Sequence, residues 1–242
     1  MRYKLSSLIV LMIIFSAYLQ AEEKIILSTT DDVLTNASRE ILLYAYDQIG
    51  VQVETISLPA ERALIWSNKG RSDGEVSRIS KVGDKYPNLI MIPIAINKFE
   101  AVVFSKNPDV VVDGWESLRP YSILFRIGSK YAERGTKGMN VRKVSSTAEV
   151  FHTLSNSRYD IAVNSRMSGV VQIETQGLTN INVIEPPLAA YKLYHYLHKK
   201  NEHLIPKITH QLKKMEKNGM TENIRNEYLK NVIENLRVSP VN

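Results

Sequence analysis

Within SDGEVSRIS (72–80) an acid and a guanidinium, Glu75 and Arg78, stand three residues apart beside a glycine, just before the apolar run NLIMIPIAI. Two such groups make either a solvated surface pair, worth about 0–1 kcal/mol, or the polar end of a binding cleft. A guanidinium offers two parallel donors that match the two oxygens of a carboxylate. Glu75 then either accepts from a ligand amine or holds Arg78 in position, and the positioning role is the reading adopted. Arg62 falls in the first turn of the helical pattern PAERALIWSNKG, near a strand's carboxyl end, where it faces either a cleft or solvent. Arg126, Gly128 and Ser129 occupy a strand-to-helix turn, RIGS. Free N–H groups at a helix N-terminus bind anions, and a plain N-cap explains Ser129 equally.

Other chemistries find little support. The chain has no cysteine, which excludes thiolate nucleophiles and Cys-ligated metals. His195 and His198 form HYLH; on a strand, residues three apart point to opposite faces, so they do not share a metal. His152, His203 and His210 sit in helical segments without ligand spacing. There is no G-x-S-x-G elbow. The net charge is +6, but the basic residues are dispersed, with no basic stripe interleaved with aromatics, so nucleic acid is not the expected partner. Trp66 and Trp115 read as packing residues.

The elements that must position these residues follow from periodicity. MRYKLSSLIVLMIIFSAYLQA has a basic start at Arg2 and Lys4, an apolar run from Leu8 to Leu19, and small Ala21 before two acids. That is the layout of a secretory signal peptide, and it is short for a membrane span, which needs roughly 20 apolar residues. The mature chain, +4 once Arg2 and Lys4 leave, is long enough to bury a core without disulfides. KIILST is a short strand. Leu34, Ala37, Ile41, Leu42 and Ala45 then recur at helical spacing, up to Gly50 at the C′ position. VQVETISL alternates as a strand, Pro59 opens a helix that ends at Gly70, and two strands follow, so the first ninety-odd residues read β-α-β-α-β-β. FEAVVFSKN is a strand running into a turn. After it come a short helix at WESLRP and then strands at YSILFRIG, NVRKV, YDIAVN and NINVIE, alternating with helices. Such alternation argues for a parallel sheet covered on both faces. PPLAAYKLYHYLHKKN is an extended segment. Two amphipathic helices close the chain, the second capped by Thr221.

This order resembles the extracellular solute-binding proteins of family 3, the type II periplasmic binding fold. The resemblance covers nearly the whole mature chain. It rests on STAEVFHTLSNSRYDIAVNS (146–165), RIGS (126–129) and KKMEKNGMTENIRNEYLK (213–230). It implies an α/β, two-lobed type II periplasmic-binding-protein-like fold, each lobe a mostly parallel sheet flanked by helices. Residues 1–21 would be the signal peptide, 22–103 plus 195–242 lobe 1, and 104–194 lobe 2. A ligand would sit between the lobes at the carboxyl ends of the strands, as open α/β sheets generally place it. The resemblance also implies that an arginine near Arg78 clamps a ligand carboxylate. Asn164 falls where amino-acid binders carry an aspartate for the α-ammonium, and Asn cannot neutralise a cation. TTDDVL replaces the usual Pro-Pro-aromatic after the first strand, and N-capping explains one of Asp31 and Asp32.

The candidate ligand-binding set is therefore Arg62, Glu75, Arg78, Arg126, Ser129 and Asn164, with no catalytic residue, cofactor or metal. The expected function is a periplasmic monomer that captures a small polar solute, anionic or zwitterionic, for an ABC-type permease or a sensor in the inner membrane. The competing readings are an enzyme of dehydratase or hydrolase type on the same fold, for which Glu75 with Asp31 would supply acid–base chemistry, and a degenerate interaction module that binds no solute.

Overall fold

The computed structural model describes residues 23–156 and 158–238, so the expected signal peptide lies outside the described residues. Eight strands form one mixed sheet in the order β2-β1-β3-β8-β4-β7-β5-β6. β1 (Glu23–Thr29) is parallel to β2 (Val51–Ser57) and β3 (Gly74–Ile79). β5 (Ile123–Arg126) is likewise parallel to β6 (Val141–Val144) and β7 (Ile161–Ser165). Between these two sets run β4 (Leu89–Ser105) and β8 (Asn182–His198), antiparallel to each other and to their outer neighbours.

β4 and β8 are each 17 residues long. At about 3.3 Å per residue such a strand reaches roughly 55 Å, enough to run through both halves of the molecule. The sequence reading divides each of them into two pieces, β4 at the polar Asn97 and Lys98 and β8 at Pro186. Pro93 lies where the β4–β8 register shifts, between Met91 and Ala95. Pro186 and Pro187 lie in a second shift, where Ala101 pairs with Ala189 but Val103 with Ile184. A proline cannot donate to the ladder and is tolerated at such bulges. The strands bend there and do not end.

Helices cover the sheet. α1 (Val33–Asp47) buries Leu34, Ala37, Ile41, Leu42 and Ala45 as its periodicity requires. Its cap is Asp32, whose Oδ1 accepts from the Thr35 N–H at 2.9 Å. α2 (Ala60–Asn68) returns the chain to β3, and the single turn α3 (Val82–Lys85) precedes β4. α4 (Lys130–Gly135), α5 (Thr147–Asn156) and α6 (Arg166–Thr175) cover the second half. α6 comes close to β4 because Gly169 has no side chain: a Cβ there would run into the Phe104 ring. α7 (Ile205–Lys217) packs on the first half. α8 (Met220–Val238) touches α1 and α7 and also α6. Its far end is tied down by Arg237, which donates to the Glu174 carboxylate at 2.7 Å. Thr221 does not cap α8 as expected. The helix begins one residue earlier, and Asn218 Oδ1 accepts from the Met220 N–H at 3.1 Å.

The apolar residues divide into separate cores. Ile25, Leu27, Ile41, Ile96, Leu197 and Leu212 belong to one, built on the first half. In the second half the buried run at 101–104 feeds both faces of the sheet. Ala101 and Val103 join Phe125 and Ile161, whereas Val102 and Phe104 join Leu124 and Phe151. This is the period-two alternation of a strand covered on both sides.

Candidate functional site

Residues three apart on a regular strand face opposite ways, yet Glu75 and Arg78 meet. The reason is a β-bulge. Glu75 pairs with Tyr196 and Arg78 with Tyr194, so three steps along β3 match two along β8. The extra residue turns both side chains to one face. Arg78 Nε and Nη2 reach Glu75 Oε2 at 2.8 and 2.7 Å. The other carboxylate oxygen accepts from Ser67 Oγ at 2.7 Å. Ser67 continues a line of buried hydroxyls, to Ser72 at 2.9 Å and on to Ser28 at 2.8 Å. The Glu75 side chain is 1% exposed and that of Arg78 15%. Burial raises the Glu75 carboxyl above its ordinary value, while the Arg78 charge and the Ser67 hydrogen bond hold that rise in check.

Behind the pair, His195 is fully buried. Its Nδ1 lies 2.7 Å from the Glu75 carbonyl and its Nε2 2.8 Å from the Tyr46 hydroxyl. A carbonyl only accepts, so Nδ1 carries the proton and Nε2 accepts from Tyr46. Burial pulls the ring pKa down from 6.5 to about 4. The neutral ring braces the bulge backbone. Among the described residues no group of three or more His, Asp or Glu side chains is arranged to hold a metal.

The remaining candidates fall elsewhere. Arg62 is exposed on the first turn of α2. Arg126 is exposed at the carboxyl end of β5, and Gly128 takes φ +83° in the turn that follows. Ser129 is buried but makes no capping hydrogen bond to α4. Its hydroxyl instead bonds Tyr131, whose own hydroxyl is pushed up to about 12, chiefly by burial. Asn164 is buried on β7: Oδ1 accepts from the Ser165 N–H at 2.8 Å, and Nδ2 has no partner. The structure thus brings Glu75 and Arg78 together in the first half. Arg126 and Asn164 lie on strands of the second half, and Ser129 in the turn after β5.

The sequence reading missed a charged group at the junction. Arg166 begins α6, one residue after the Ser165 N-cap. Its Nε donates to Glu100 on β4 at 2.6 Å and its Nη2 to Glu185 on β8 at 2.9 Å. Lys98 adds an ion pair to Glu100 at 2.8 Å. A cavity of about 230 Å³ opens next to this group. Its apolar walls are Leu34 on α1, Met167 and Val170 on α6, and Leu229 on α8, with Arg225 of α8 also lining it. Lys98 and Glu100 interrupt an otherwise apolar run, and that was the available signal.

No family model matches the sequence. An uncharacterized protein of Shewanella oneidensis is 28% identical over 198 residues, covering 77% of this chain and 74% of its own. Among solved structures, a histidine kinase sensor domain with similarity to periplasmic binding proteins superposes with a TM-score of 0.62 at 19% identity, over 87% of this chain and 98% of its own. An amino acid ABC transporter substrate-binding protein of Streptococcus pneumoniae, bound to L-arginine, gives 0.61 at 10% identity over 90% and 99%. This chain has the periplasmic-binding-protein fold. An ancestral amino acid-binding protein, described as a precursor of cyclohexadienyl dehydratase, shares that fold, with a TM-score of 0.62 at 14% identity over 85% and 95%. Two halves on parallel strand sets, joined through β4 and β8, are how the periplasmic-binding-protein fold is built here. Among the described residues no helix is long and apolar enough to cross a membrane.

Proposed function

We propose that the chain is an exported, monomeric binding protein that closes two lobes on a small polar solute, anionic or zwitterionic, and presents it to a permease or a sensor. The lobes are residues 22–103 plus 195–242, and 104–194, with residues 1–21 removed as the signal peptide. The observation that carries this reading is the separation of the cores across β4 and β8, with candidate polar residues on strands or strand ends of both halves. A two-stranded connection is a suitable hinge. The similarity to a transporter's substrate-binding protein and to a sensor domain supports both outputs.

In this reading Ser129 and Arg126 receive the anionic part of the solute, and Asn164 offers its free amide donor. Glu75 is the positioning residue for Arg78, which is left with Nη1 for a ligand. An enzymatic role for Glu75 is disfavoured, because its carboxylate is buried and both oxygens are engaged. Asp31, its suggested acid–base partner, is exposed and bonded to Asn36.

Mass spectrometry of small molecules released from the natively purified protein identifies the solute. Added back at a hundredfold excess over Kd, it should stabilise the fold by about 2.7 kcal/mol, or roughly 5–10 °C in Tm. Solution scattering should show a smaller radius of gyration. Organic acids, amino acids, amines and short peptides that leave both Tm and radius unchanged would overturn the reading.

A further inference from the structure

Among the described residues, one buried side-chain donor without a hydrogen-bond partner carries a charge: Nε of Arg225 on α8. Burial disfavours its charged form, and Glu222 on the same helix opposes that effect. Nε is sealed under its neighbours, so a ligand beside Arg225 reaches the guanidinium only through its terminal nitrogens. Arg225 lines the junction cavity of about 230 Å³. The other guanidinium there, Arg166, is already engaged by Glu100 and Glu185. What remains is the Arg225 guanidinium, which makes no ion pair among the described residues, beside Leu34, Met167, Val170 and Leu229.

We infer that this cavity binds a monocarboxylate with a short apolar tail, its carboxylate on Arg225 and its tail against those walls. Size limits the tail. At about 30 Å³ per water-sized unit of liquid volume, the space takes on the order of seven or eight heavy atoms, as in hexanoate, and phenylacetate and octanoate exceed it. A dicarboxylate would bring a second charge beside Glu100, which already engages Lys98 and Arg166, the other cations of the lining. The walls come from α1 in the first half, α6 in the second, and α8, which packs on both. A carboxylate seated there holds the halves together through α8. This inference goes beyond the solute-binding reading, because Arg126 and Ser129 do not line this cavity.

The test is calorimetry and thermal shift with acetate, butanoate, hexanoate, octanoate, phenylacetate, succinate, glutamate and arginine. Hexanoate should bind most tightly, ahead of acetate and succinate and ahead of the oversized phenylacetate and octanoate. Arg225→Met keeps the apolar stem as far as the Nε position and removes every donor, so hexanoate affinity should fall by about tenfold or more. Val170→Trp fills the cavity and should abolish hexanoate binding with Arg225 intact. Lys230→Met, an equal charge change on an exposed position of α8, should leave it within about twofold, since exposed charges contribute little. If Arg225→Met fails to fold, Val170→Trp and Leu229→Trp carry the same test. Polar solutes that bind with compaction, while tailed carboxylates do not bind or ignore both cavity variants, would sink this inference and leave the binding reading standing. Tailed carboxylates that bind in the cavity without compaction would support the site and refute lobe closure. Absence of binding by every compound would overturn both.

Discussion

His195 should make the protein acid-sensitive by an amount the structure fixes. The buried ring accepts from Tyr46 and donates to the Glu75 carbonyl, and it stays neutral until about pH 4. In the unfolded chain it titrates near 6.5. A histidine with a depressed folded pKa contributes stability that is fully present above 6.5 and is lost as pH falls through the folded value. At 1.36 kcal/mol per pH unit, the separation from 6.5 to about 4 corresponds to roughly 3 kcal/mol in full, most of it already lost at pH 4.5. For a chain of this size that is roughly 5–10 °C in Tm. Glu75 works in the opposite sense. Its burial-raised carboxyl contributes stability that is present below its ordinary value and lost as pH rises through the raised one. The experiment therefore compares wild type with His195→Gln, in which Glu75 and every other carboxylate remain. Calorimetric Tm is followed from pH 7.5 to 4.5. Gln offers a donor and an acceptor but does not titrate, so the variant should start lower and fall less steeply. Parallel curves for the two proteins would refute the placement of a neutral, sealed His195.

Two further perturbations probe the same region. Arg78→Ala leaves Glu75 charged, buried and without its cation, and should cost about 3–5 kcal/mol in urea unfolding; the double variant Glu75→Gln, Arg78→Met should recover much of that loss, and a cost below about 1 kcal/mol would mean the pair is an ordinary surface one. Gly74→Ala puts a Cβ into the backbone carbonyl of Tyr196 on the paired strand, so it should destabilise by about 1–3 kcal/mol and speed amide exchange along β3 and β8; unchanged exchange there would contradict the close approach.

Element types were legible in the sequence wherever one residue determined them. The apolar spacing of α1 and its Asp32 cap lead directly to the structure. The length of β4 and β8 was not legible. The polar Asn97 and Lys98 and the Pro186–Pro187 pair read locally as strand ends, and only pairing with a long neighbour shows that the strand continues past them. Thr221 was misread as a cap because Ser, Thr, Asp and Asn compete for that role, and Asn218 lay three residues earlier. In the site, Glu75 and Arg78 were singled out, but their contact depends on a bulge. A bulge is a property of the pair of strands, and β3 alone does not encode it. Arg166 follows the chosen Asn164 by two residues. Its role requires Glu100 and Glu185, which are 66 and 19 residues away in sequence.

The same reasoning separates the arginines by what they can still do. A guanidinium has five N–H donors, and a ligand can use only those the fold leaves open. Arg78 gives Nε and Nη2 to Glu75, and Nη2 also donates to the Ala60 carbonyl. Arg166 is divided between two acids. Both are therefore braces, holding β3 to its bulge and α6 to the junction strands. Their removal should be felt in stability at least as strongly as in affinity. Arg225 is the reverse case: its Nε is buried, unbonded and beside a cavity. Its loss should relieve the free protein of an unbonded donor while weakening the complex. Stability and affinity then move in opposite directions for Arg225→Met and together for Arg78→Ala. That contrast in sign separates an arginine that acts in binding alone from one that braces β3 and also offers its remaining donor, whatever the absolute affinity proves to be.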